Sequence, residues 1–399
     1  MPASPISTNP TTSSWLAVTT VSLATFSVVT TEMLPVGLLT PIAETLDIST
    51  GTAGLMISLP ALLAALFAPL VVISAGNRDR RGILCTLLTL LVIANLASAL
   101  APSLPWMLGA RILVGFCMGG IWAIAGGLAS RLVPAHAVGM ATSLIFGGVA
   151  AASVLGMPLG AWLGELAGWR WAFGSMAMLS GLVLLLQLVA LPALPVNHSS
   201  SLKQFVEQFA NRPLLFGLLM TVLLVAGHFL AFTFVRPLLL SAAHIPAHWI
   251  ASLLFGYGLA GIAGNFLAGL LAGRHTALTL AIIALGLLLT PLLFLAAGHT
   301  PLGGTFTLMI WGLAYGGVSV GLMSWMMKAA PDAIEIATAL YVGVFNISIA
   351  LGAWSGGQIV DRYGLTGNLR LMTGFAALAL LLSAGLCLRI RLRTGATQR

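Results

Sequence analysis

The sequence predicts an all-α membrane protein of about twelve transmembrane helices, arranged as two six-helix halves. Apolar stretches of about 20 residues or more follow one another along nearly the whole chain, separated by short polar connectors. The composition agrees: 59% of residues are hydrophobic, only 7% are charged, and 45 of 399 are glycine. The two halves also repeat each other in sequence, as shown below.

Apolar runs read against Gly, Pro and charged punctuation place helices at 15–39, 51–75, 82–101, 105–130, 139–164 and 170–192. A second set falls at 214–240, 247–273, 277–298, 303–328, 333–359 and 367–388. The chain thus divides into an N-terminal tail (1–14), a six-helix half (15–192), a central connector (193–213), a second six-helix half (214–388) and a basic tail (389–399). The first fourteen residues carry no basic n-region and lead into an apolar stretch too long for a signal-peptide core, so an uncleaved first helix is expected. Within the connector, Lys203, Gln204, Glu207 and Arg212 surround a short amphipathic pattern.

If both ends face the cytoplasm, that side receives Arg78, Arg80, Arg81, Arg131, Lys203, Arg212, Arg274, Lys328, Arg389, Arg391, Arg393 and Arg399, which is 12 of the 17 Lys and Arg. The opposite connectors hold Glu44, Asp47, Glu165 and Asp361, with only Arg170, Arg362 and Arg370. Positive-inside therefore predicts cytoplasmic termini. The net charge of +8 reflects this distribution; with no long basic face, a nucleic-acid partner is excluded and a lipid bilayer is expected. Cys85, Cys117 and Cys387 lack metal-ligand spacing, so neither a metal site nor a disulfide framework is indicated. No nucleophile-base pair or phosphate loop is readable, which argues against an enzyme, and no cofactor is expected.

Ala141, Thr142, Leu144, Leu155, Gly156, Gly160 and Gly168 recur as Ala337, Thr338, Leu340, Leu351, Gly352, Gly356 and Gly364, every pair 196 residues apart, with Glu165 and Asp361 in the same register. Gly119-Gly120 and Gly316-Gly317 echo each other at 197. Such parallel repeats are a transporter signature, with substrate held between the halves.

Three segments carry a family resemblance. The fifth helix has Gly148, then Gly156-Met157-Pro158-Leu159-Gly160, followed by Gly168-Trp169-Arg170-Trp171. The fourth has Arg111 followed by Gly115, Gly119 and Gly120, and the connector after the second reads Asp79-Arg80-Arg81-Gly82. Over nearly its full length the chain resembles the major facilitator superfamily, and within it the twelve-helix drug:proton antiporter branch. It departs at Gly76, where the loop motif usually has aspartate, and at Val72, where it has its first glycine. The Glu32–Leu39 segment, with Gly227-His228 and Phe234–Pro237, is similar to bacterial sugar and purine ribonucleoside exporters. The resemblance implies a central cavity, alternating access, a monomer, and residence in a bacterial inner membrane. It also implies that Gly156, Pro158 and Gly160 disfavour leak and set exchange direction.

Physical chemistry gives the remaining candidates. Glu32 lies within the first helix, where a carboxylate needs a partner, water or a proton; Arg111 should reach a similar depth and pair with it. The pair is either a static tie or a proton site. His228, near the middle of the seventh helix, either binds cargo, titrates, or makes one hydrogen bond across a helix interface. Arg236 is expected to snorkel to water. Trp122, Phe146, Asn265, Trp311, Tyr315, Phe345 and Asn346 are candidates for the cargo cavity, the two amides because hydrocarbon would leave them unsatisfied. Trp311 and Tyr315, four apart, share a helix face. Small residues at four-residue spacing let helices approach closely. Together these features predict proton-driven export of a small solute, a sugar or related metabolite first. The alternatives are a purine nucleoside or drug antiporter, and a proton-independent facilitator in which Glu32 is structural.

Overall fold

The structure, a computed structural model, describes residues 12–75, 78–134, 137–194 and 208–396. Helix α1 is Thr12–Leu46; a single turn, Thr50–Ala53, precedes α2 (Leu55–Ala75); α3 is Arg80–Ala99 and α4 is Leu104–Leu132. Helix α5 runs from Val138–Ala151 through a π-turn, Ala152–Gly156, into Met157–Ala167, and α6 is Trp169–Ala190. Helix α7 joins Arg212–Thr221, a π-turn Val222–Ala226 and Gly227–Phe232, and is extended by Val235–Pro237 and a second π-turn, Leu238–Ala242. The 51-residue run Ala247–Ala297 breaks at His275 into α8 and α9, and Ile334–Ala396 breaks at Gly364 into α11 and α12. Between them α10 comprises Pro301–Gly316 and Val318–Ala329.

Among the described residues, ten helices are long and apolar enough to span a bilayer, and two of these are double-length. At 1.5 Å per residue a 51-residue run measures about 76 Å, more than twice the hydrocarbon thickness, so each double helix supplies two crossings. The total is twelve.

Two ends differ from expectation. Helix α1 continues past 39 through Pro41 to Leu46, because the carbonyl that Pro41 frees finds a side-chain donor instead. Helix α12 runs on to Ala396, so the basic segment from 389 begins as helix. Lys203, Gln204, Glu207, Gly76 and Arg399 lie outside the described residues, as does most of the amphipathic connector.

The sequence repeat is a repeat of packing. Helix α5 lies on α1 with Gly156 against Thr30 and Gly160 against Leu34; α11 lies on α7 with Gly352 against Ala226 and Gly356 against Leu230, each partner again displaced by 196 residues. Helix α4 lies on α2 with Gly115 against the Pro60 carbonyl and Gly119 against that of Ala64. Helix α10 repeats this on α8, with Gly312 against Tyr257 and Gly316 against Gly261, all displaced by 197. A Cβ at Gly115, Gly119, Gly312, Gly316, Gly352 or Gly356 would collide with the backbone of the facing helix, while at Gly160 it would displace the tip of Leu34. Gly168 and Gly364, also 196 apart, form the α5–α6 and α11–α12 turns with φ of 89° and 68°, a region that penalises any side chain.

The halves meet at the face away from the start of α1 and the end of α12, called here the far face. There α2 packs on α11, the second part of α5 on α8, and α1 on the extension of α7. The segments nearest the terminal face, Val138–Ala151 of α5 and Val318–Ala329 of α10, pack on helices of their own half. Among the described residues, the bundle is closed at the far face.

Candidate functional site

Two prolines in α1 shape its surroundings. Because a helical N–H bonds the carbonyl four residues back, Pro35 leaves the Thr31 carbonyl without a partner and Pro41 leaves that of Gly37 without one. Arginines from two other helices fill both vacancies. Arg111 of α4 donates from Nη1 to Thr31 O at 3.0 Å and from Nη2 to Ser98 Oγ at 2.9 Å, with its guanidinium 4.8 Å from the Phe173 ring. Arg236, on the extension of α7, donates from Nη1 to Gly37 O at 2.9 Å and from Nη2 to Glu165 Oε2 at 3.3 Å. Unsatisfied carbonyls in hydrocarbon cost several kcal/mol each, so the arginines and prolines form matched sets.

This overturns two expectations. Arg111 does not pair with Glu32: its Nη atoms are taken by Thr31 and Ser98, and no ion pair joins it to the carboxylate. Arg236 does not snorkel; it is 5% exposed and bridges α1, α5 and α7.

Glu32 is buried, and its Oε1 lacks a hydrogen-bond partner. A buried carboxylate without a donor is unfavourable as an anion, so this group is suited to carry a proton.

Across the bundle axis His228 is enclosed by rings. Tyr315 stacks on it with centroids 3.4 Å apart and planes 9° from parallel, Phe232 stacks on it at 4.6 Å, and Trp311 and Phe229 meet it edge-on. Tyr257 extends the pile against Phe232. The Trp311 indole N–H donates to His228 Nδ1 at 3.0 Å, which places the imidazole proton on Nε2. His228 is therefore the acceptor in a bond across the α7–α10 interface, and its Nε2–H is buried without a partner. Trp311 and Tyr315 do share the face that meets it. Leu223, Leu224, Leu287, Met372 and Ala376 line a narrow apolar gap beside the imidazole, too small to admit water.

The other candidates spread across both halves. Trp311 is fully buried; Trp122, Asn265, Tyr315 and Phe345 are half-buried, Phe345 edge-on to Tyr341. Asn346 is buried, donating to Val342 O while its Oδ1 has no partner. The side chain of Phe146 lies outside those described.

Gly148, Gly156 and Gly160 press α5 onto α1, helped by Ser22 Oγ donating to Leu144 O and Thr25 Oγ1 to Ile145 O. Pro158 lies two residues after the π-turn, in the first turn of the helix that resumes at Met157. In the loop motif, Asp79 caps α3 by accepting from Arg81 N and also accepts from Leu194 N, while Arg81 donates to Leu188 O. The Arg80 backbone N–H donates to Leu194 O. The motif thus fastens the α2–α3 loop to the end of α6.

Sequence reasoning missed Tyr257, Tyr341 and Phe232. The tyrosines carried a signal, since the chain has only four and Tyr257, Tyr315 and Tyr341 are all buried or half-buried within the helices.

The family profile described as Major Facilitator Superfamily matches residues 21–353. Among solved structures, a bacterial homolog of the human lysosomal transporter Spinster, inward-facing and unoccupied, superposes with a TM-score of 0.75 at 15% identity, covering 93% of this chain and 96% of that one. The nucleoside transporter NupG gives 0.74 at 16%, covering 93% and 98%. A POT family transporter in complex with 5-aminolevulinic acid gives 0.72 at 13%, covering 94% and 95%.

Proposed function

Given that the chain belongs to the Major Facilitator Superfamily, and so is a multi-pass membrane transporter rather than an enzyme, we propose that it exports a small solute in exchange for protons. The observation that carries this reading is Glu32: a carboxylate in mid-helix, buried, with no hydrogen bond to Oε1. Alternating access lets such a group exchange protons with one side at a time.

His228 is a poorer proton carrier. Its Nε2 already holds hydrogen and its Nδ1 lone pair is engaged by Trp311, so a second proton requires the indole to leave. We assign it to holding the aromatic pile, with Arg111 as the anchor of α1 beside Glu32.

The terminal face is assigned to the cytoplasm by the positive-inside count, and the far face to the outside. Closed at the far face, the structure then corresponds to an inward-facing state of a bacterial inner-membrane antiporter of the drug:proton branch. The division into 15–192 and 214–388, joined by the 193–213 connector, makes each half a rocking unit. Half-buried Tyr315, Trp122 and Phe345, with Asn265 and Asn346, offer ring faces and amide groups suited to a sugar or related metabolite, and equally to a nucleoside base. The guanidinium of Arg111 is buried away from solvent, which favours neutral over anionic cargo.

The test uses purified protein in liposomes loaded with a pH-sensitive dye, presented in turn with sugars, purine nucleosides and cationic drugs, with Glu32→Gln in parallel. Substrate-dependent proton flux abolished in Glu32→Gln supports antiport and names the cargo. Solute movement without proton flux in either protein leaves a facilitator.

A further inference from the structure

Glu165 and Asp361 are repeat-related, 196 residues apart, each three residues before the left-handed glycine that ends its helix. A carboxylate in the last turn of a helix lies against the negative end of the helix dipole, so its own helix disfavours it. Both find compensation across the bundle. Glu165, in the first half, meets Arg236 of the second at 3.3 Å. Asp361, in the second half, accepts from Ser49 Oγ at 2.6 Å and from Gly51 N at 2.9 Å, at the start of α2 in the first.

We propose that Glu165 and Asp361 are the two gating residues of the transport cycle, a symmetric clamp that holds the far face shut. The inference rests on the alternating-access reading above. Each carboxylate belongs to one half and its donors to the other, so opening the far face must break both sets of bonds. The surroundings are built to match. Gly51 and Gly357 meet backbone to backbone beside Asp361, and a side chain at either would hold the gap open. Arg236 donates to Gly37 O as well as to Glu165, so one second-half guanidinium ties down two helices of the first half when the far face is closed. Because the partners are an arginine in one clamp and neutral donors in the other, the two carboxylates are not interchangeable: Glu165 needs a charge, Asp361 needs two short donors.

Both clamps act on one equilibrium between far-face-closed and far-face-open states, so their effects on the population ratio multiply. A lost charge-assisted bond changes such a ratio by about tenfold. The experiment places spin labels at Glu44→Cys and His248→Cys, exposed positions on opposite halves of the far face, with Cys85, Cys117 and Cys387 replaced by alanine. Distance distributions are recorded in nanodiscs for the parent, Glu165→Gln, Asp361→Asn and the double variant, with Arg362→Gln, an exposed neighbouring charge, as the control.

The expected result is a longer-distance population that grows about tenfold in each single variant and about a hundredfold in the double, with the control unchanged. Equal shifts in the control, or a folded, monodisperse double variant with the parent distribution, overturn the clamp. A parent locked at one distance at both acidic and alkaline pH, with and without the cargo that the liposome assay identifies, instead overturns alternating access, so the two failures are told apart.

Discussion

The matching of Arg111 to Pro35 predicts a rescue. Replacing Arg111 by leucine removes the donor to Thr31 O and to Ser98 Oγ, both buried. A buried acceptor left without a partner costs about 1–3 kcal/mol, and Thr31 O has no alternative because residue 35 lacks an N–H. Arg111→Leu alone should therefore destabilise by roughly 2–5 kcal/mol, part of the loss being offset because a buried charge is also removed. Pro35→Ala restores an N–H four residues after Thr31, which can rebuild the helical bond. In the wild-type background that N–H competes with Arg111 for one carbonyl and gains little; in the Arg111→Leu background it satisfies an orphan. The double-mutant cycle should show a favourable coupling of about 1–3 kcal/mol. Loss of the cation beside Glu32 is common to both legs and cancels. The assay is the reversible unfolding midpoint in mixed detergent and SDS micelles for the four proteins. Additivity within about 0.5 kcal/mol would refute the idea that the arginine serves the proline-freed carbonyl.

Other outcomes follow from single contacts. Gly316→Ala drives a methyl into the Gly261 backbone and should destabilise by about 1–3 kcal/mol in the same assay, whereas Gly174→Ala, whose added carbon meets nothing within 4 Å, should be neutral or slightly stabilising. Trp311→Phe keeps the ring but removes the donor to His228 Nδ1; it should cost about 1–3 kcal/mol and move the imidazole 15N shifts out of the single-tautomer pattern that the wild type shows. Lys328→Met frees the Ala272 and Gly273 carbonyls and Thr276 Oγ1 where α8 ends, so thermal stability should fall, with Lys328→Arg recovering part of it.

What could be read from the sequence was whatever depends on one helix at a time. Apolar length gave the crossings, and the 196-residue register matched glycines that the fold uses in both left-handed turns and in both rows on α5 and α11. Placing Glu32 in mid-helix was equally local. The misreadings concern partners chosen across the bundle. Snorkelling treats Arg236 as if its helix stood alone, yet Glu165 lies 71 residues away and the accepting carbonyl belongs to α1. Arg111 was expected to seek an opposite charge, but a proline-freed carbonyl is fixed in place and cannot be hydrated, so it captures the guanidinium first. The His228 pile draws on α7, α8 and α10, and no spacing rule within one helix sets Trp311 and Tyr315 against the imidazole or Tyr257 against Phe232.

The two registers, 196 for α1/α5 against α7/α11 and 197 for α2/α4 against α8/α10, have a bearing on where the chain tolerates added length. From Leu34 to Pro60 the first half uses one residue fewer than the second does from Leu230 to Tyr257. One extra residue inside a helix would swing everything after it by about 100°, taking each glycine off its carbonyl. The surplus residue must therefore lie in the irregular stretch of the second half, where the helix breaks at Phe234 and passes through the wide turn Leu238–Ala242. That stretch is a slack joint in an otherwise rigid gauge. A tag or reporter grafted at the connector around Pro246 should leave the helices in step, while a single residue spliced between Tyr257 and Gly261 should throw α8 out of mesh with α10.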